Sequence, residues 1–152
     1  MNVSAREAVV EIMRLPHAPA ELPAYQTDGA AGMDLSLAGE DVTVGPGERA
    51  ALPTGFCVAI PPGHEGQVRL RSGFAMRTGL ILPNAPGTID ADYRGEIKVL
   101  VMNVSLEPVR VKRGERIAQL VISPVSRCVW REVPALPASA RNGGGFGSTG
   151  SR

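Results

Sequence analysis

Short apolar segments rich in Val, Ile and Leu recur along this 152-residue chain and are separated by turn-forming residues. The 18 glycines and 13 prolines stand in small clusters, and no window keeps a helical apolar period over several turns. The pattern predicts strands at residues 8–13, 42–44, 50–60, 66–70, 97–103, 109–111, 116–125 and 128–133. Short strands repeated at turn-marked spacing are typical of an all-β sandwich or barrel.

One short helix is predicted directly after Arg71. Ser72 can serve as its N-cap, residues 73–77 follow, and the Thr-Gly pair at 78–79 ends it. Helix is otherwise expected to be scarce.

The chain is predicted to consist of one domain and a tail. Its 43% hydrophobic residues suffice for one core. From residue 134 the composition changes to Ala, Ser, Pro and then Gly, which neither bury apolar surface nor fix a backbone. We therefore predict a β domain over residues 1–133 and a flexible Gly-rich C-terminal arm over 134–152.

Charge and hydropathy limit the classes of partner. The 16 Lys and Arg residues nearly balance the 15 Asp and Glu residues, and no block of like charges occurs. The chain therefore lacks the basic surface that holds nucleic acid or an anionic membrane. It also has no run of about 18 apolar residues that would span a bilayer. We predict a cytoplasmic protein with no nucleic-acid or membrane partner.

The cysteines and histidines give no signal for a metal site. Cys57 and Cys128 each stand in an apolar, strand-like context without zinc-binding spacing, and both are predicted to be buried thiols. His17 and His64 lie in proline-containing, loop-like sequence, which favours a structural or solvated role.

Residues 84–96 put carboxylates, an aromatic ring and turn residues within the length of one hairpin. Pro86 and Gly87 predict a turn, and Arg94 with Gly95 ends the polar run before strand-like spacing resumes. Together with the Gly-rich tail, this hairpin indicates a nucleotide site. The alternative is that its Asp and Tyr side chains only cap turns.

Four further features carry candidate chemistry. The tripeptide at 71–73 can offer a guanidinium, a hydroxyl and helix-start amides to a phosphate. The alternative is that it is only an exposed Arg beside an ordinary N-cap. Asp34 lies between apolar residues, so it either needs an Arg or a hydrated cation, or belongs to a turn. Gln119 interrupts an apolar strand, so its amide is expected to hydrogen-bond a specific partner or to belong to a structural network. The tail is a linker unless Arg141 and Phe146, which are unusual in a spacer, have a role.

Five segments resemble, in order, the five motifs of the trimeric deoxyuridine triphosphate nucleotidohydrolases (dUTPases). The resemblance covers residues 7–150, and two departures from the family pattern are Leu70, usually Pro, and Asn142, often Gly. The five segments are AGMDL at 31–35, RSG at 71–73, GTIDADYRGE at 87–96, GERIAQL at 114–120 and RNGGGFGSTG at 141–150.

The resemblance implies a jelly-roll-like homotrimer whose three active sites lie at subunit interfaces, each built from all three chains. It implies that water attacks the α-phosphorus of dUTP, giving dUMP and pyrophosphate, with Mg²⁺ bound to the triphosphate. Such an enzyme keeps uracil out of DNA and supplies dUMP for thymidylate synthesis. Asp90 would position and activate the water, and Asp34 would hold the hydrated Mg²⁺ through its outer shell.

The other roles implied by the resemblance concern binding. Tyr93 would pack under the sugar and exclude a 2'-hydroxyl, while Phe146 would stack on the base as the tail closes. The hairpin backbone and Asn84 would read the uracil edge, with Gly87, Thr88, Ile89 and Lys98 at contact positions. Phosphate contacts are implied for Arg71, Ser72, Gly73 and Gln119, with Arg141 on the γ-phosphate and Gly147 among the glycines that let the tail wrap the phosphates.

Two alternatives stay open at this point. A dCTP deaminase-like enzyme of the same fold would need a glutamate placed to deaminate the base. A non-enzymatic β-sandwich could bind nucleotides as a regulator. The complete Gly-rich tail, the Asp90 and Tyr93 hairpin and the intact acid at position 34 favour hydrolysis.

Overall fold

A computed structural model of the chain describes residues 7–150. This part of the chain contains ten strands and one helix, and nowhere in it is a helix long and apolar enough to cross a membrane. The elements are β1 (Glu11–Arg14), β2 (Met33–Ser36), β3 (Val42–Val44), β4 (Arg49–Ala59), β5 (His64–Leu70), α1 (Ser72–Thr78), β6 (Leu80–Ile81), β7 (Gly87–Ile89), β8 (Glu96–Asn103), β9 (Val109–Val111) and β10 (Arg116–Pro124).

The strands form two four-stranded sheets and one two-stranded ladder. One sheet has the order β1-β4-β8-β6, the other the order β2-β10-β5-β7, and β3 pairs with β9. All the pairs are antiparallel, and several join strands far apart in sequence, such as β2 with β10. This architecture confirms the predicted all-β, jelly-roll-like sandwich with one short helix.

The core lies between the two sheets and is built by the alternation of side chains along each strand. In β8, Ile97, Val99 and Val101 are buried, while Lys98 and Leu100 between them are exposed. The facing sheet contributes buried residues from β2, β5 and β10 to the same cluster. Because each buried aliphatic side chain contributes about 1.5–3 kcal/mol, this interior fixes the strand register on which the site depends.

A β-bulge interrupts the pairing of β4 with β8 between Pro53 and Cys57. The N–H of Gly55 within it donates to Oε1 of Glu96, at the first position of β8, over 2.9 Å. Gly55 has φ +78°, and an added Cβ would lie 2.4 Å from the Cα of Ala18. Only glycine fits here, so the bulge brings the N-terminal segment against the start of β8.

The predicted helix is present, but the prediction of its N-cap is wrong. Arg71 occupies the N-cap position with φ −68° and ψ 134°, no side chain caps the helix start, and Ser72 is the first helical residue. At the other end Gly79 adopts φ +69°, and its N–H donates to the carbonyl of Ala75. Phe74 is buried and anchors the helix on the core.

Other strand predictions need correction at specific places. β1 begins at residue 11 rather than 8, and β2, β6 and β7, which have two to four residues each, were not predicted. Residues 128–133 form no strand and are exposed. Cys57 is buried as predicted, but Cys128 is exposed, because the last strand ends at residue 124 and leaves it outside the sheets.

Candidate active site

A cavity of about 310 Å³ opens beside the predicted hairpin, and we call it the hairpin cavity. Its volume is at the lower end of the range for small-molecule sites, and its wall is mostly apolar with a few polar groups. It is lined by Asn84, Gly87, Thr88, Ile89, Asp90, Tyr93, Glu96 and Lys98, with Val68, Leu82 and Leu100 as the apolar wall. The structure thus brings together all the residues that the sequence assigned to the base and the sugar, apart from Phe146 in the tail.

Local hydrogen bonds hold the hairpin between β7 and β8. The N–H of Tyr93 donates to the carbonyl of Asp90 at 3.1 Å, and its phenol donates to the carbonyl of Glu96 at 3.0 Å. A Cβ on Gly95 would lie 2.4 Å from the phenol oxygen, so glycine at this position lets the ring fold back over the chain. Asp90 is exposed at the cavity wall, where its carboxylate can meet water and a ligand.

Strand β7, which forms part of the cavity wall, lies at the edge of its sheet. It pairs with β5 on one side and is the last strand in the order β2-β10-β5-β7. The backbone N–H and C=O groups on the unpaired side of an edge strand can bind a planar ligand as a further strand would. This position suits the predicted reading of a base edge by the hairpin backbone.

A second group of polar side chains, the Asp34 cluster, consists of Asp34, Arg71, Arg116 and Gln119. The Asp34 side chain is only 5% exposed, and its Oδ2 lies 3.1 Å from Nη1 of Arg116 and 3.4 Å from Nε of Arg71. Nε2 of Gln119 donates to Oδ1 over 3.4 Å. The predicted need of a buried Asp34 carboxylate for an arginine partner is therefore met twice.

The sheet register explains the Asp34 cluster. Asp34 on β2 pairs directly with Gln119 on β10, so both side chains lie on the same face of the sheet. A Cβ on Gly32 would lie 2.9 Å from the Cβ of Gln119, which explains the glycine two residues before Asp34. Ser72 and Gly73 follow Arg71 at the helix start, so the predicted phosphate contacts and Gln119 lie in one region.

Two charged residues of these sites, Arg116 and Glu96, were assigned no role from the sequence. Arg116 lies within a quoted motif but received no role, although a buried carboxylate on a paired strand is a signal for a nearby cation. Glu96 ends the predicted hairpin segment and received no role, yet it lines the hairpin cavity. Burial raises the pKa of the Glu96 carboxyl, but hydrogen bonds from His17 and the Gly55 N–H outweigh it, so the pKa lies below its ordinary value.

Within the described part of the tail, residues 134–150, no residue lines the hairpin cavity or joins the hydrogen bonds and ion pairs of the Asp34 cluster. Residues 124–150 are exposed apart from Gly144 and Gly145, and Phe146 is fully exposed. Nε of Arg141 donates to the carbonyl of Gly144 within the tail. Asn142, a departure from the family pattern, has φ +44°, a conformation that glycine adopts freely and Asn tolerates better than most residues.

Within one chain, the predicted site residues therefore fall into three separate sets. The hairpin cavity lies at the β7 edge of its sheet, and the Asp34 cluster lies on β2 and β10, with β5 between β7 and β10. Neither Asp34, Arg71 nor Gln119 lines the hairpin cavity. The tail forms the third set.

The chemistry of the donors limits how a metal ion would be held. In residues 7–150 no group of three His, Cys, Asp or Glu side chains comes together. Oδ2 of Asp34 is paired with two guanidinium groups, whereas the contact of Oδ1 with Gln119 is long. These residues do not fit a directly coordinated ion, but Oδ1 fits a water molecule of a hydrated Mg²⁺ carried by a ligand.

Comparison with known proteins gives the family. The family model described as dUTPase matches residues 18–150. The chain is 57% identical over 145 residues to a deoxyuridine 5'-triphosphate nucleotidohydrolase of Methylocella silvestris, covering 93% of this chain and 91% of that protein. It is 61% identical over 132 residues to the protein of the same name from an Anaeromyxobacter species, covering 87% and 89% of the two chains.

A solved structure agrees with these relatives. The structure of the dUTPase of Staphylococcus bacteriophage 80alpha with dUpNHpp superposes with a TM-score of 0.84 at 29% identity, covering 93% of this chain and 98% of that one. The family match spans most of the sequence, and the two relatives are more than half identical over most of their length. The chain belongs to the dUTPase family.

Proposed function

We propose that this protein is a dUTP diphosphatase, which hydrolyses dUTP to dUMP and pyrophosphate. The observation that carries the proposal is the hairpin cavity, which combines an exposed Asp90 carboxylate, the Tyr93 ring and an edge strand in a space of nucleoside size. In the cell the reaction keeps uracil out of DNA and supplies dUMP for thymidylate synthesis. We expect it to take place in the cytoplasm.

Asp90 is the general base in this proposal. Its carboxylate accepts a proton from a water molecule aimed at the α-phosphorus, and the P–O bond to the bridging oxygen breaks as pyrophosphate leaves. Tyr93 is fixed by its hydrogen bond to Glu96, so its ring can pack under the deoxyribose and leave no room for a 2'-hydroxyl.

The edge strand and Asn84 select the base. Backbone donors and acceptors of Gly87, Thr88 and Ile89 are matched to uracil and mismatched to cytosine. In this proposal thymine is rejected because its methyl group meets the cavity wall. Lys98 lies at the same wall and contributes a positive charge near the nucleotide.

The triphosphate is bound by the Asp34 cluster and the start of α1. Arg71, Ser72, Gly73 and Gln119 supply the guanidinium, hydroxyl, backbone N–H and amide donors. Asp34 orients both arginines and would hold a hydrated Mg²⁺ through a water molecule. The ion neutralises charge on the phosphate oxygens when it is bound.

The active form in this proposal is a homotrimer. A dUTP molecule must reach base-reading, phosphate-binding and tail residues at once, yet these form three separate sets in one chain. Three chains related by symmetry can supply one set each to every site. The arm over 134–152 then closes over a bound nucleotide, with Arg141 on the γ-phosphate, Phe146 on the base and Gly147 in the wrapping backbone.

A deaminase of the same fold is not favoured. Glu96 is the glutamate in the cavity lining, but His17 and Gly55 hold its carboxylate, and its lowered pKa keeps it ionised. That environment does not suit a proton shuttle. A binding protein without catalysis is not favoured either, since the acids at positions 34 and 90 are both in place.

One assay tests the proposal. The protein is incubated with dUTP, dCTP, dTTP or UTP and Mg²⁺, and pyrophosphate, ammonia and nucleotide products are measured. We expect dUMP and pyrophosphate from dUTP and little turnover of the other three. Ammonia released from dCTP would identify a deaminase, and no product from any of the four would leave a nucleotide-binding protein.

A further inference from the structure

Glu96 connects the N-terminal segment of the chain to the wall of the hairpin cavity. Its Oε1 accepts hydrogen bonds from Nε2 of His17 at 2.6 Å and from the N–H of Gly55 at 2.9 Å. Its Oε2 lies 4.0 Å from Nζ of Lys98, and its backbone carbonyl accepts the phenol of Tyr93. One residue is thus in contact with two side chains that line the cavity.

The backbone around His17 is fixed as well. The N–H of Leu15 donates to the carbonyl of Gly55 at 2.8 Å, and the N–H of Ala18 donates back to the carbonyl of Leu15 at 3.0 Å. The missing Cβ of Gly55 lets this turn lie directly against the bulge in β4. His17 lies in the turn, so its imidazole reaches Glu96 from a backbone that is held in place.

We infer that His17 is a positioning residue for the hairpin cavity: it fixes the Glu96 carboxylate and thereby the Lys98 ammonium at the substrate. The inference rests on the proposed function, because it takes the cavity as the nucleoside site of dUTP. His17 lies outside the five segments that resemble the family motifs, and its sequence context predicts only a structural or solvated role.

The inference depends on how freely the Glu96 carboxylate can move when His17 does not hold it. The Glu96 side chain is 13% exposed, and charged groups near it are His17 from the N-terminal turn and Lys98 from β8. Asp90 lines the same cavity. Without the imidazole, Oε1 keeps only the Gly55 N–H, and the carboxylate is free to turn toward Lys98 and draw the ammonium away from the nucleotide.

The test compares His17→Leu with His17→Gln. Leucine fills the space but donates no hydrogen bond, whereas the glutamine amide has nearly the same reach as Nε2 and restores the donor. Glu11→Ala, which truncates an exposed side chain of β1 in the same N-terminal segment, is the matched control. Steady-state KM and kcat for dUTP, the Kd of a non-hydrolysable dUTP analogue and the melting temperature are measured for each.

We expect KM and Kd to rise about three- to tenfold in His17→Leu, with kcat within about twofold, as suits a lost hydrogen bond that acts through binding. His17→Gln and Glu11→Ala should behave like the unaltered protein. In a Lys98→Met background, His17→Leu should add little to the loss, because its effect passes largely through Lys98.

Three results would overturn the inference. A folded His17→Leu protein with unchanged KM and Kd would remove His17 from this role, and so would failure of His17→Gln to restore them. If His17→Leu does not fold, Lys98→Met takes its place, and an unchanged KM and Kd in that variant contradict the inference, because the effect of His17 passes largely through Lys98. Absence of dUTP hydrolysis in the unaltered protein would instead refute the proposed function.

Discussion

The Asp90 side chain is exposed at the wall of the hairpin cavity, where it can contact both water and a nucleotide. Asp90→Asn keeps its shape but removes the basic oxygen, so kcat should fall by about 10² or more while the analogue Kd changes little. Pyrophosphate release and analogue binding measure the two effects. Asp92→Asn, in the same hairpin, is the matched control, and near-normal turnover of Asp90→Asn would exclude it as the base.

Glu96 gives a prediction about acid stability. Because its pKa in the folded protein is lowered, its ionised form stabilises the fold above the pKa of the unfolded chain. That contribution should be lost as the pH falls through the folded pKa. The free energy of unfolding of Glu96→Gln should therefore lie below that of the unaltered protein at neutral pH, and the two should converge in acid. Denaturant titrations from pH 7 down to pH 3 test this, and a constant difference would argue against it.

At the scale of structural elements, the role of the C-terminal arm as a lid stays a prediction. Strands end at Pro124, and the tail lies outside the core, so truncation after Ala140 should leave the melting temperature and oligomer size almost unchanged. Turnover should drop sharply, and Phe146→Ala alone should cost about 1–3 kcal/mol, the usual contribution of a base–aromatic stack. If the truncated protein hydrolyses dUTP at the normal rate, the arm is a linker.

The strands differ in how well the sequence alone predicts their positions. β4, β8 and β10 could be predicted because their long apolar runs bury one face on the core. β6 and β7 are two and three residues long, so only their pairing with β8 and β5 makes them strands. Residues 128–133 have the apolar composition of a strand, yet no strand between residues 7 and 150 pairs with them. Composition alone cannot distinguish such a segment from a strand that pairs within a sheet.

At the scale of the whole molecule, the separation of the three sets of site residues predicts complementation between subunits. If each site draws on three chains, the protein should sediment as a trimer. Mixing Asp90→Asn subunits with subunits truncated after Ala140 should then restore part of the activity, since some hybrid sites receive intact Asp90 and an intact arm. The control is Asp90→Asn protein taken through the same mixing procedure with more Asp90→Asn protein. A fully active monomer would contradict shared sites.

The candidate site was predictable to the extent that its chemistry lies in local segments. The hairpin residues, Asp34, Arg71 and Gln119 could be chosen from their types and spacing. The contact of Arg116 with Asp34 and the contact of His17 with Glu96 join residues 82 and 79 positions apart, so they depend on the sheet register and the β4 bulge. Such contacts are set by tertiary pairing and have no local pattern.

The most direct test of the proposed reaction is hydrolysis of dUTP in ¹⁸O-labelled water, followed by mass analysis of both products. Attack of water on the α-phosphorus puts the labelled oxygen into dUMP and leaves pyrophosphate unlabelled, because the bond that breaks joins the α-phosphorus to the bridging oxygen. We predict one labelled oxygen in dUMP for each turnover. Label in pyrophosphate, or no release of dUMP and pyrophosphate at all, would contradict the account.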